Sequence, residues 1–344
     1  MANDDRPRVS VIICTRNEEA HIGRCLDSLL ANTYPPGRVE IVVCDGRSTD
    51  ATRDVVAEYA NRHTSVKLID NPGRTAPKGF NLGIARARGE IIAILGAHSE
   101  VAPDWIERNV DALEEHPDAA GVGGRMTTVG QGYAAGAIAR ALSSPFGVGN
   151  SSFRVGTQAR YTDTVVFGAY RRETFERYGT FDEELARNQD DELNYRIRSQ
   201  GGRLWFDPAI RSTYCARQSF RHLHRQFAQY GFWKPLVYRK CPGVFAWRQL
   251  APPAFVASLA CGVILGLLWS PGWLVLGGIL CAYMIATGAS AIWLAARSGL
   301  RYLPALPPVF AIVHVAYGLH FLHGVAYFLV LRRSPGSRHA RLTR

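Results

Sequence analysis

Two short stretches repeat one arrangement, an apolar β-branched run ending in a cysteine and followed at once by charged and polar residues: Cys14-Thr15-Arg16-Asn17-Glu18 and Cys44-Asp45-Gly46-Arg47-Ser48-Thr49-Asp50. A carboxylate at the end of a sheet strand suits a ribose hydroxyl or a base N–H, and an arginine beside it suits a phosphate. On these residues alone the pocket is a generic nucleotide site, and Asp45 serves equally well as a turn former. A third acidic group, Asp190-Asp191-Glu192, opens the stretch DDELNYRIRSQ. Carboxylates there complement a helix macrodipole as readily as they supply a general base. Farther on, Ser219 to Lys234 interleaves Arg221, His222, His224, Arg225 and Gln226 with Phe220, Phe227, Tyr230, Phe232 and Trp233. That basic and aromatic mixture suits an interfacial helix that also faces a lipid diphosphate.

The elements that position these residues alternate. VSVIIC at Val9 to Cys14 reads as a buried strand and Glu18 to Ala31 as a helix with Ile22, Cys25, Leu26, Leu29 and Leu30 on one face. Val39 to Cys44, Val66 to Ile69 and Glu90 to Leu95 read as further strands, with helices at Ala51 to Arg62 and near Lys78 to Arg88. Continuous apolar strands separated by helices imply an α/β domain with a mostly parallel sheet covered on both faces. Ligands collect at the carboxyl ends of such strands. Beyond them, Pro103 to His116 reads as helix, Ala120 to Val129 as a glycine-rich strand, and Gly130 to Ala159 as loop with short helical pieces. Helices are expected at Arg171 to Tyr178 and Asp190 to Gln200, with a short strand at Leu204 to Phe206.

Beyond Gln249 the composition shifts to uncharged apolar stretches at Ala251 to Trp269, Gly272 to Ala296 and Val309 to Leu331, each near or above the ~20 residues that span a bilayer. The chain therefore divides into a catalytic domain over 1–215, interfacial amphipathic helices over 216–249, a transmembrane region over 250–332 and a basic tail over 333–344. Charge follows the same division. All 29 acidic residues lie in the first 207 positions with 25 of the 40 basic ones, a net −4 that leaves +15 behind them. A mildly acidic front argues against nucleic acid as a partner, because a phosphate-tracking groove carries its basic residues on the folded domain. Basic residues flanking apolar segments instead mark a membrane partner and its cytoplasmic side. The seven scattered cysteines form neither a disulfide framework nor a zinc motif, consistent with a reducing cytoplasm for the front half.

With the front domain cytoplasmic, Ser270-Pro271-Gly272 falls outside and Arg297 to Arg301 inside. Three full spans would then carry Arg332, Arg333, Arg338, Arg341 and Arg344 outside, against the positive-inside rule. Either the last segment is re-entrant or interfacial, or the rule is overridden. His314, His320 and His323 within it serve inter-helix hydrogen bonds or a site near a lipid acceptor.

In order, VSVIICTRNEEAHIGRCLDSLL, VEIVVCDGRSTDAT, NPGRTAPKGFNLGIARARGEIIAILGAH and FDEELARNQDDELNYRIRSQGG resemble the family 2 glycosyltransferases over roughly Val9 to Trp233. GRSTD, the Ala97-His98 ending, NQDDELNYR and SFRHLHRQFAQYGFWK are most similar to the succinoglycan-biosynthesis glucosyltransferase branch. The resemblance implies a GT-A-like nucleotide-sugar-binding domain followed by C-terminal transmembrane helices. It further implies an inverting enzyme of the inner (plasma) membrane that moves a hexose from a UDP-sugar to a polyprenyl-diphosphate-linked saccharide in exopolysaccharide or cell-surface glycan synthesis.

By the same resemblance Thr15, Arg16, Glu18 and Asp45 line the nucleotide, while Arg74, Lys78 and Ala97 lie along the nucleotide-sugar. His98 ends the segment that in this family reads Asp-x-Asp and holds a divalent cation, Mn2+ or Mg2+. This chain departs from that pattern with Gly96, and Glu100 or Asp104 are candidates to compensate. Asp190 falls where the family has its base, with Asp191 next in line. Arg225, Gln226, Tyr230 and Trp233 would face the lipid diphosphate, although the Arg-Trp pair of processive polysaccharide synthases is missing, which favours addition of a single sugar. Two alternatives stand beside this reading: a polyprenyl-phosphate glycosyltransferase whose acceptor is a bare lipid phosphate, and a nucleotide-binding pseudoenzyme, which Gly96 motivates.

Overall fold

The β-branched runs form strands where the alternation of apolar and polar segments places them. In a computed structural model that describes residues 6–242 and 246–335, β1 (Val9–Thr15), β2 (Val39–Asp45), β3 (Val66–Asp70) and β4 (Ile91–Gly96) pair in parallel in the order β3-β2-β1-β4. Helices α1 (Ile22–Leu30), α2 (Thr52–Arg62) and α3 (Ala76–Arg86) connect them. Val11 and Ile13 point to one buried face of the sheet and Ile12 to the other, as a strand covered on both sides requires.

The remaining strands make the sheet mixed. β5 (Ser99–Val101), α4 (Trp105–Glu115), β6 (Ala119–Val129), α5 (Tyr133–Leu142), α6 (Pro145–Val148), α7 (Ser152–Val155), β7 (Arg160–Thr162), β8 (Ala169–Arg171), α8 (Arg172–Tyr178), α9 (Gln189–Ser199) and β9 (Arg203–Cys215) follow in chain order. β8 inserts antiparallel between β4 and β6, and β9 runs parallel to β6. β9 is longer than the expected Leu204 to Phe206. The Asp207-Pro208 turn signal interrupts the ladder, with Gly124 opposite Asp207 and Arg125 already opposite Arg211, and pairing resumes beyond it. The stretch expected as loop with short helical pieces contains the ten-residue α5, most of whose alanines are buried because Ala137, Ile138, Ala141 and Leu142 pack on a helix far away in sequence.

That helix is α13 (Leu306–Val330), the third of three helices among the described residues long and apolar enough to cross a membrane, after α11 (Trp247–Leu268) and α12 (Gly272–Ser298). Leu306, Val309 and Phe310 are fully buried against α5 and against Leu223 of α10 (Phe220–Lys240). α13 is also less exposed as a whole, with 39% of its apolar window buried against 17% and 11% for α11 and α12. Two π-helical stretches, Ile312–Ala316 and Val325–Val330, let it follow α10. The two helices touch at backbone distance. A Cβ on Gly231 of α10 would lie 2.2 Å from the Tyr317 carbonyl oxygen, and one on Gly324 of α13 would lie 2.4 Å from that of Phe232. Of the expected basic tail, Arg338, Arg341 and Arg344 lie outside the described residues.

Gly231→Ala is therefore expected to force α10 and α13 apart and destabilise the protein by roughly 1–3 kcal/mol. Gly277→Ala on α12, with nothing within 4 Å of the added carbon, is the control and is expected to be harmless. Thermal unfolding of the detergent-purified proteins reads the difference.

Candidate active site

The loops after β1 and β2 brace each other across the sheet's carboxyl edge. Asn17, with a left-handed φ of 56°, receives the Thr49 N–H at its side-chain oxygen (2.8 Å) and donates its own N–H to the Ser48 hydroxyl (2.9 Å). The Glu18 N–H donates to Thr52 Oγ1 at 2.7 Å. This bracing fixes Thr15, Arg16, Glu18 and Gly46 along one end of a cavity of about 1230 Å3. Arg74 lines the same end, whereas Lys78 is exposed outside it. Asp45 is fully buried and occupied internally: it accepts from the Ser48 N–H and hydroxyl and pairs with Arg53 at 2.9 Å. It stiffens the turn, and Gly46 forms the cavity wall there.

His98 follows the end of β4 and faces the cavity, while Ala97 turns into the hydrophobic core. The imidazole Nδ1 lies 3.4 Å from Glu18 Oε1, and the ring meets Tyr214 edge-on with centroids 4.9 Å apart. Burial, with Arg217 and Arg187 nearby, pushes His98 down to about 3, so the ring is neutral at physiological pH and able to act as a metal ligand. Glu100 and Asp104 do not line the cavity; Glu100 pairs with Arg24 and Asp104 with Arg108. Among the described residues no group of three or more His, Cys, Asp and Glu side chains forms a metal cage.

The opposite wall is built where the segment before α9 docks on α10. Leu185 and Ala186 are buried with Phe232, Trp233, Leu236, Val237 and Phe328. Arg187 Nε donates to Gln229 Oε1 at 3.1 Å, Asn188 Nδ2 to the Tyr230 carbonyl at 3.1 Å, and Lys240 pairs with Asp182 at 2.5 Å. Asn188 takes a left-handed φ of 60° and turns the chain so that Asp190 and Asp191 enter the cavity wall at the first turn of α9. Lys234, nearly inaccessible at 3% exposure, reaches from α10 to Asp191 in a short ion pair.

The two neighbouring carboxylates thus differ. Burial pushes Asp190 up to about 6, Asp191 adds to that, and Lys234 opposes it. Burial outweighs the helix N-terminus, which by itself favours the ionised form.

Of the other residues expected at the site, Tyr230 lines the cavity together with Phe227 and Lys234, one face of α10 at helical spacing. Gln226 lies behind that face, donating to the hydroxyls of Tyr214 (2.9 Å) and Tyr230 (3.1 Å). Trp233 is turned to Phe328 of α13, and Arg225 is half-buried outside the cavity. Sequence reasoning missed Tyr214, Arg154, Arg187, Arg217, Lys234 and Arg248, all of them cavity-lining. For Arg217, Lys234 and Arg248 the signal was the run of basic residues after Asp207 with no acidic partner among them; Arg154 and Arg187 carried none.

The cavity does not stop at the carboxylates. It continues past Gln249 to Pro252 and Phe255 of α11, Tyr283 of α12, and Val313, His314 and Tyr317 of α13. His314 itself is bonded to two other helices, to the Tyr283 hydroxyl of α12 (3.1 Å) and the Phe146 carbonyl of α6 (2.9 Å).

The sequence model described as glycosyl transferase family 2 matches residues 10–179. A dolichyl N-acetyl-alpha-D-glucosaminyl phosphate 3-beta-D-2,3-diacetamido-2,3-dideoxy-beta-D-glucuronosyltransferase of Methanococcus voltae is 34% identical over 76% of this chain and 82% of its own length. The succinoglycan biosynthesis protein ExoA of Rhizobium meliloti is 29% identical over 93% of this chain and 96% of its own. Among solved structures, a mannosyltransferase of Pyrobaculum calidifontis in complex with GDP-Man and Mn2+ superposes with a TM-score of 0.59 at 22% identity, over 93% of this chain and 88% of that one. The last likeness is one of fold, a GT-A-like α/β domain.

Asp190 also sets a pH dependence of stability. Its folded-state value of about 6 exceeds the ordinary 3.8, so its stabilising contribution is present below that ordinary value and is lost as pH rises through about 6. Asp190→Asn is expected to unfold at a higher temperature than the wild type at about pH 8 and at the same temperature at about pH 4. A gain of equal size at both pH values would contradict a raised proton affinity for Asp190.

Proposed function

The chain belongs to glycosyl transferase family 2 and is a glycosyltransferase, and we propose that it transfers a hexose from a UDP-sugar, with inversion, to a polyprenyl-diphosphate-linked saccharide in exopolysaccharide or cell-surface glycan synthesis. The observation that carries this reading is the single cavity running from the braced strand ends, past Asp190, to the apolar helices α11 to α13. A nucleotide at one end and a lipid-borne acceptor at the other would meet at the carboxylates. The similarity to ExoA and to the Methanococcus voltae transferase, whose name specifies a dolichyl-linked sugar, supports an acceptor of this class.

In the proposed step Asp190 accepts the proton of an acceptor hydroxyl while that oxygen forms a bond to the anomeric carbon. The bond from that carbon to the diphosphate breaks, and UDP leaves with the electron pair. A carboxylate titrating near 6 remains ionised at neutral pH yet is a stronger proton acceptor than an ordinary aspartate. Asp191, held by Lys234, positions Asp190 and tunes its charge. In this reading Thr15, Arg16, Glu18 and Arg74, which line one end of the cavity, face the donor, and Tyr230, also cavity-lining, faces the acceptor.

His98 and the adjacent Glu18 form a donor set that fits a Mn2+ or Mg2+ ion taking its other ligands from a diphosphate, as the Mn2+ bound by the Pyrobaculum mannosyltransferase also suggests. Such an ion supplies Lewis-acid neutralisation of the leaving group. A carboxyl with a raised pKa favours a hydroxyl acceptor over a bare lipid phosphate, which needs no strong base.

The proposed location is the plasma membrane, with the sheet domain cytoplasmic and α11 and α12 crossing as a hairpin. α13 lies along α10 near the interface: it is packed on α5, and Gly318 sits against Pro252 at the start of α11. This keeps the basic C-terminal residues on the catalytic side, as the positive-inside rule favours.

Two measurements follow. Asp190→Asn is expected to lower kcat about 10²–10⁴-fold with UDP affinity retained, when a polyprenyl-diphosphate-linked saccharide is supplied. Transfer to a bare polyprenyl phosphate, indifferent to Asp190→Asn, would establish the alternative acceptor. For topology, a C-terminal green fluorescent protein is expected to fluoresce and a C-terminal alkaline phosphatase to be inactive; the reverse would make α13 a full span.

A further inference from the structure

Three arginines from separate elements converge on the middle of the cavity: Arg154 on α7, Arg187 ahead of α9 and Arg217 just past β9. Each of the first two is fixed by a neutral group. Arg154 Nη1 donates to Thr128 Oγ1 at 2.7 Å with its guanidinium 5.8 Å from the Tyr214 ring, and Arg187 is held by Gln229 with its guanidinium 5.9 Å from the Tyr230 ring. Gln226 links the hydroxyls of both tyrosines, so the two supports form one unit. Arg187 is near enough to Arg217 and Asp190 to respond to both charges, and His98 responds to Arg187 and Arg217.

Among the described residues none of the three makes an ion pair with a carboxylate. Two further cations of this cavity do, Arg248 with Asp163 at 2.7 Å and Lys234 with Asp191, whereas Arg16 and Arg74 at the strand-end side have no carboxylate partner among the described residues either. Burial pushes Arg154 and Arg187 down from the ordinary arginine value. Clustered guanidinium groups in a recessed wall are costly unless an anion joins them, and their planar forks match phosphoryl oxygens.

We propose that Arg154, Arg187 and Arg217 form one binding subsite for a diphosphate or phosphate-ester anion, set between His98 and the Asp190 carboxylate. Two ligands of the proposed reaction carry that chemistry, the UDP leaving group and the phosphate of the lipid-linked acceptor; naming them rests on the proposed function, whereas anion binding does not.

The test is calorimetric titration of the full-length protein in detergent with inorganic pyrophosphate, UDP and farnesyl diphosphate, in EDTA so that no metal bridges the anion. Arg154→Gln, Arg187→Gln and Arg217→Gln are each expected to weaken pyrophosphate binding at least tenfold, with Arg→Lys variants weakened less. Arg203→Gln, which breaks a surface pair with Asp118, is expected to change nothing. Weakened UDP binding, with UDP and pyrophosphate competing, assigns the subsite to the donor; weakened farnesyl diphosphate binding with UDP unaffected assigns it to the acceptor. Unchanged affinities for all three ligands in variants that keep the wild-type unfolding temperature would overturn the proposal. A protein that binds these anions through the arginines but transfers no sugar would refute the proposed function and leave the subsite standing.

Discussion

Lys234 is a cation almost without solvent, on a helix otherwise committed to packing, and it meets a carboxylate at the first turn of another helix. An unpaired charge in such a place would cost several kcal/mol, so Lys234 and Asp191 each require the other where it is. That mutual requirement, with Arg187 on Gln229 and Asn188 on the Tyr230 carbonyl, docks the start of α9 on α10. α10 is in turn held by α13 through the close approaches at Gly231 and Gly324. The position of Asp190 therefore depends on an apolar helix more than a hundred residues away in sequence.

This dependence explains why two adjacent acids behave differently. Asp191 is taken up by its pair with Lys234. Asp190 has burial and a like charge beside it, and no cation of its own, so its proton affinity rises into a range useful for accepting a proton near neutrality. The opposite wall is tuned in the reverse sense, since half-buried His98 under the field of Arg187 and Arg217 stays neutral.

Much of this was legible in the sequence. β1 to β4 and the first three helices follow from β-branched runs and helical periodicity, because their burial is decided locally within the alternating layers. β9 was cut short because Asp207-Pro208 is a turn signal that the sheet absorbs as a bulge. α5 is legible only as one of the short helical pieces expected there, because a helix of alanine and glycine lacks a polar face and α10, α12 and α13 supply the surface that orders it. On α10 the composition marked an amphipathic helix without telling its faces apart: Tyr230 and Lys234 share the cavity side, while Trp233 turns to α13. Arg217 stands in the sequence as one of the unbalanced charges that a membrane partner accounts for, and only the fold brings it to Arg187 and His98.

In the proposed function, chemistry and a lipid-borne acceptor share one cavity between the sheet domain and the apolar helices. Photolabelling of full-length protein in membranes with a photoreactive isoprenoid diphosphate, mapped by mass spectrometry, tests it most directly. Labelling concentrated at Phe255, Tyr283 and Val313 and displaced by excess unlabelled lipid-linked saccharide is the expected result. Labelling confined to the outward-facing Leu267, Met284 and Ile292, and not displaced, would contradict a shared cavity.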